Sequence, residues 1–161
     1  MAAHSIFTDK EERFLNALVD NEVEFMIVGL SAALLQGAPA VTQDIDLWVR
    51  DTSSAGFRRA LKQVGAVYVP PIGLNPPLLA GDNVRLFDLV GHMSGLDSFE
   101  REFAAALRIE IRGVQIPVLP LDRIIASKEA ADREKDRLVL PVLRDAALAR
   151  SAEQSRKKKG R

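Results

Sequence analysis

Cysteine is absent from the 161 residues, and histidine, tryptophan and tyrosine are scarce, at two, one and one. Without thiols the chain forms no disulfide, no zinc–thiolate site and no cysteine nucleophile. His4 and His92 are too few and too far apart in sequence for a histidine-based metal site. The opening MAAHSIF lacks the basic start and apolar run of a signal peptide, and no Asn-x-Ser/Thr site occurs, so a cytoplasmic location is expected. Long apolar runs are missing too. Residues 25–43 carry no charge, but Gly29, Gln36, Gly37, Pro39 and Gln43 interrupt them. A membrane-spanning helix needs about 20 mostly apolar residues. No membrane partner is expected.

What remains is an ordinary globular composition, 47% hydrophobic and 27% charged, enough to bury one core. The net charge is zero, yet it is unevenly spread. From Ser151 on there are five bases (Arg156, Lys157, Lys158, Lys159, Arg161) and one acid, Glu153. Of the 22 bases and 22 acids in the chain, that leaves 17 and 21 before Ser151, a net of −4. Residues 1–150 therefore read as one mildly acidic domain. Residues 151–161 read as a basic, disordered, solubilising tail, with a weak grip on RNA or DNA as the alternative.

Thr8 and Glu11 have capping-box spacing ahead of a first helix. EFMIVG (24–29) predicts a buried strand and SAALLQG a short helix ending at Gly37. A strand over 44–50 follows, then a helix capped at Thr52 or Ser53 and a strand at AVYVP. Residues 63–81 are uncharged and hold four prolines, Pro70, Pro71, Pro76 and Pro77. They predict a long apolar loop, either a lid from Pro70 to Gly81 or a segment packed onto the body. NVRLFDLVG predicts another strand, and LDSFEREFAAALRI a helix or loop. A hairpin turning near Gly113 comes next, then helices over LDRIIASKEAADR and KDRLVLPVLRDAALAR, with Pro141 kinking or dividing the last. This order implies an α/β (α+β) domain with a small mixed sheet flanked by helices.

The segment VTQDIDLWVR raises the chemical question. Asp44 and Asp46 sit two apart among strand-forming apolar residues, so both carboxylates share one face. Like charges at a core edge repel, and burial adds to the cost. A divalent cation between them removes the repulsion, and hard Mg²⁺ favours carboxylate oxygen while keeping places for water and phosphate. Asp88 lies in a further apolar strand. If the two strands are neighbours, three carboxylates converge, an arrangement able to hold two ions roughly 3.5–4 Å apart for phosphoryl transfer. Upstream, VGLSAAL passes from strand to helix through a glycine turn, and helix N-termini attract phosphate.

MIVGLSAALLQGAPAVTQDIDLWV resembles the signature of the DNA polymerase beta-like nucleotidyltransferase superfamily. Within it, the chain is similar to small bacterial AbiEii-type toxins and minimal nucleotidyltransferases, whose downstream Lys and Arg-x-Lys-Asp run is matched by Lys128 and by Arg133, Lys135 and Asp136. The resemblance spans roughly residues 20–145. It implies a magnesium-dependent enzyme moving a nucleoside monophosphate from an NTP to an acceptor hydroxyl on a tRNA, a protein or a small molecule such as an antibiotic. A toxin–antitoxin or abortive-infection setting would add a cognate partner protein. By the same resemblance, Gly29, Leu30 and Ser31 form the phosphate-holding turn, and Asp44, Asp46 and Asp88 bind metal. Asp88 also helps deprotonate the acceptor, and Lys128 contacts the triphosphate. The superfamily has Gly or Ser where this chain has Leu30, so Ser31 substitutes one position later.

Plainer accounts exist for each residue. Asp88 could pair with Arg85 or Arg112, Lys128 could lie on a solvated helix face, Trp48 could be core, and His92 a loop residue. The rival function is a catalytically silent module of the same fold that binds a partner protein or RNA.

Overall fold

The computed structural model describes residues 7–161; His4 and most of the N-terminal segment MAAHSIF lie outside them. Helix α1 (Asp9–Asp20) opens on the expected capping box, the Glu11 carboxylate accepting the Thr8 backbone N–H at 2.8 Å. Strand β1 (Phe25–Val28) is buried throughout and leads directly into helix α2 (Gly29–Leu35). Strand β2 (Ile45–Val49) runs antiparallel to β1, pairing Val28 with Asp46. Helix α3 (Ala55–Gln63) is capped one residue later than expected, by Ser54, whose Oγ accepts from the Phe57 N–H at 3.2 Å.

After α3 the structure departs from the expected loop. Strands β3 (Val67–Val69) and β4 (Leu78–Ala80) pair antiparallel, and Ile72 bridges Asn75 at the tip. The prolines that argued against strand flank the paired residues instead of interrupting them, so they cost no ladder hydrogen bond. A 3-10 turn (Asp82–Val84) then leads to β5 (Phe87–Val90), shorter than NVRLFDLVG suggested. Helix α4 (Phe99–Ala104), the hairpin β6 (Leu107–Ile111) and β7 (Val114–Val118), and helices α5 (Leu121–Ala131) and α6 (Glu134–Lys159) complete the chain.

The five-stranded sheet has the order β5-β2-β1-β7-β6, with β2/β5 and β1/β7 parallel and the other pairs antiparallel. It is the small mixed sheet flanked by helices that the sequence implied. Phe14 of α1 meets Phe87 of β5 edge-on at 4.9 Å, and Trp48 meets Phe99 at 5.4 Å, so Trp48 is core, as its plainer account held.

Helix α6 corrects one expectation and narrows another: residues 151–159, expected to be a disordered tail, continue it, and Pro141, expected to kink or divide it, lies inside it without dividing it. From Val142 to Lys159 there is no glycine or proline, and Ala, Glu, Gln, Arg and Lys are strong helix formers, so nothing stops the helix before Gly160. Among the described residues, no helix is long and apolar enough to cross a membrane.

Candidate active site

One face of the sheet edge opens into a cleft of about 600 Å³. Strand alternation sends Ile45, Leu47 and Phe87 into the core, while Asp46 and Asp88 take the opposite face. The two strands are neighbours, as the convergence of three carboxylates required. Asp46 stands opposite Asp88 in the parallel register of β2 and β5, and Asp44 immediately precedes β2. All three line the cleft.

Gly29 explains why the turn before α2 needs glycine. Its φ is +65°, and a Cβ built there would lie 2.3 Å from Asp46 Oδ2. The Asp46 carboxylate therefore packs on the glycine α-carbon, and any side chain would displace it. Ser31 acts on the same strand from behind. It is buried, its Oγ donates to the Val28 carbonyl at 2.9 Å, and that Oγ accepts the Asp46 N–H at 3.3 Å. Its hydroxyl is thus engaged inside the fold and is not among the groups lining the cleft, whereas Gly29 and Leu30 are.

Burial, then the charges of Asp88 and Asp44, push the Asp46 carboxyl above its ordinary value; Lys128 and Lys135 pull it the other way. Asp88 is also raised, by burial first and then by Asp44. Among the described residues, none of the three carboxylates has an ion pair. Arg112, one of the two suggested partners of Asp88, binds Asp9 at 2.8 Å and Glu12 at 2.9 Å instead.

Another part of the lining comes from α5 and α6, which contribute Lys128, Lys135 and Asp136, with Arg133 in the turn between them. Asp136 is fully buried; its carboxylate accepts Arg133 Nε at 2.7 Å, the Arg133 backbone N–H at 3.2 Å and Lys128 Nζ at 3.3 Å. Burial raises the Asp136 carboxyl, but these hydrogen bonds outweigh it and hold the group below the usual carboxylate range. Lys128 is therefore no solvated surface lysine; it is tethered in the cleft. Gln36 fixes the wall against the sheet: its amide nitrogen donates to the Leu119 carbonyl at 2.9 Å and its amide oxygen accepts the Leu121 N–H at 2.8 Å.

Sequence reasoning matched Arg133, Lys135 and Asp136 only through a resemblance and gave them no role in the site. It passed over Thr42, Met93 and Ser94, and set His92 aside as a loop residue; all four line the cleft. The only sequence signal for that wall was proximity to Asp44 and Asp88. Conversely, no residue from Pro70 to Gly81, the expected lid, lines it.

The donor set fits a hard cation. It consists of carboxylates without ion-pair partners among the described residues, lining one polar cleft, with Lys128 and Lys135 acting against the repulsion at Asp46. Among the described residues no three His, Cys, Asp or Glu side chains are gathered into a ready-made metal cage. Mg²⁺ is commonly held by one or two carboxylates together with substrate phosphates, a number that the in-register pair Asp46 and Asp88 can supply.

No family model matches the sequence, and no curated protein matches it. Solved structures do match. The crystal structure of ANT(2″)-Ia in complex with adenylyl-2″-tobramycin superposes with a TM-score of 0.57 at 15% identity, covering 91% of this chain and 95% of that one. The solution structure of the same antibiotic-resistance factor gives a TM-score of 0.56 at 14% identity, covering 93% and 92%. At this identity the likeness speaks to fold: the chain has a nucleotidyltransferase-like fold over nearly its whole length.

Proposed function

We propose that the protein is a nucleotidyltransferase of the DNA polymerase beta type, which moves a nucleoside monophosphate from an NTP to an acceptor hydroxyl with Mg²⁺. The observation that carries this reading is the in-register pair Asp46 and Asp88, joined by Asp44, sharing one cleft with Lys128 and Lys135. Carboxylates and cations in one cleft suit a metal-bound triphosphate, since lone carboxylates would repel it. That a 15% identical neighbour carries an adenylylated product adds support.

The acceptor oxygen attacks the α-phosphorus and a new P–O bond forms. The bond to the bridging oxygen of the β-phosphate breaks, and pyrophosphate leaves with that electron pair. The acceptor proton passes to Asp88, which stands beside Asp46 in the cleft. Lys128, Arg133 and Lys135 bind the leaving phosphates, and the backbone of Gly29 and Leu30 borders them. Asp44, Asp46 and Asp88 would hold the metal, which when bound supplies charge neutralisation of the phosphates. The finer AbiEii-type kinship, with its toxin–antitoxin setting and partner protein, rests on Lys128 and the Arg133–Lys135–Asp136 run.

The test is release of pyrophosphate and transfer of α-phosphate label from each NTP, with wild type, Asp46→Asn and Asp88→Asn. Transfer by wild type alone is expected. A folded wild type that binds no nucleotide and transfers nothing would favour the silent partner-binding module.

A further inference from the structure

Helix α6 begins in the cleft with Lys135 and ends in an exposed basic segment, Arg156, Lys157, Lys158 and Lys159. None of these four has a carboxylate partner among the described residues. The distance from Lys135 to Lys157 along one continuous helix is about 33 Å at 1.5 Å per residue. Arg150 and Arg156, with Glu153 between them, line a groove of about 420 Å³ against Gln36 and Gly37. From that groove the chain runs through Gly37–Gln43, which carries no charge, to Thr42 and Asp44 in the cleft.

We infer that this end of α6 is a docking arm for the phosphate backbone of a nucleic acid, whose reactive hydroxyl end is thereby held in the cleft as acceptor. The acceptor half rests on the nucleotidyl-transfer reading; the docking half does not. Three observations select this partner. Residues 1–150 carry a net charge of −4, so attraction for a polyanion must come from the arm. From Ala149 to Lys159 there is no aromatic or large aliphatic side chain, so the arm has nothing to insert into a lipid surface. One continuous helix joins arm and cleft, and its length of about 33 Å from Lys135 to Lys157 matches about ten base steps at 3.4 Å each.

The experiment measures fluorescence anisotropy of labelled RNA and DNA, single-stranded and duplex, against wild type and the variant R156Q/K157Q/K158Q/K159Q over a salt series. Glutamine keeps helix propensity, and circular dichroism checks the fold. Wild type should bind, with log affinity falling against log salt by about 0.9 for each phosphate contact, and the variant should bind about tenfold more weakly with a shallower slope. Equal binding by both proteins, or none by wild type, would overturn the arm. Binding to phosphatidylserine vesicles without nucleic acid binding would overturn it in favour of a membrane. Mg-NTP titrations run beside it separate the two ideas. Loss of nucleotide binding in both proteins sinks the transfer reading alone. Label reaching a small acceptor but never the bound nucleic acid sinks the acceptor half.

Discussion

The Asp46 carboxylate rests against the α-carbon of Gly29, so close that an added methyl group would lie 2.3 Å from Oδ2. The turn that begins α2 and the strand that carries the acid are thus one unit. Ser31 completes it by accepting the Asp46 backbone N–H.

Gly29→Ala should therefore damage both stability and activity. Alanine at φ +65° is strained, and its Cβ displaces Asp46. A loss of about 1–3 kcal/mol in chemical denaturation is expected, along with loss of transfer. Ser31→Ala removes a buried hydroxyl and should cost about 1–2 kcal/mol while leaving NTP affinity within a few fold. A large loss of affinity at unchanged stability would mean that Ser31 holds phosphate after all.

Asp46 also predicts how stability depends on pH. Its folded pKa is raised, so its protonated form favours the fold. That contribution is fully present below the unfolded value of 3.8 and is lost as pH rises through the folded value. At neutral pH in EDTA, Asp46→Asn should then be more stable than wild type, by about 1 kcal/mol. Added Mg²⁺ should stabilise wild type and not the variant. A variant less stable than wild type in EDTA would contradict the account of the carboxylate repulsion.

Asp136 behaves oppositely. Its carboxyl is held below the ordinary range, so its contribution is present above 3.8 and disappears as pH falls through the folded value. Asp136→Asn should cost about 2 kcal/mol at neutral pH and almost nothing in strong acid. It should also release Lys128 and weaken NTP binding. Unchanged stability across that pH range would remove Asp136 as the tether.

The β3–β4 hairpin lies outside the cleft lining, so nucleotide should leave its hydrogen exchange unaltered. Protection by Mg-NTP should instead appear around His92–Ser94 and Arg133–Asp136. Strong protection of residues 70–81 would restore the lid.

Much of this was legible in the chain. Alternation around Asp44 and Asp46, the glycine turn and the capping box at Thr8 each follow from short-range geometry, and they placed the carboxylate wall correctly. The pairing of Asp46 with Asp88 depends on β2 and β5 being neighbours, which the sequence raised only as a condition. The misses share one physical origin. Pro70, Pro71, Pro76 and Pro77 signal broken structure locally, and only strand pairing shows that they lie in the connection of a hairpin. Ser31 reads as a phosphate ligand until its hydroxyl is seen turned toward Val28. The resemblance assigns Lys128 to the site, and only the fold, which brings α6 beside α5 and Asp136 to its ammonium group, decides against a solvated face.

The central claim is that the cleft binds an NTP and a divalent cation together. Calorimetric titration of ATP and the other NTPs, in Mg²⁺ and in EDTA, with wild type and Asp88→Asn, tests it most directly. Wild type should bind one of them measurably in Mg²⁺ and scarcely at all in EDTA, because unshielded carboxylates face a polyanion. Asp88→Asn should bind more weakly in Mg²⁺. Equal affinity with and without the cation, or no NTP binding under either condition, would contradict the account.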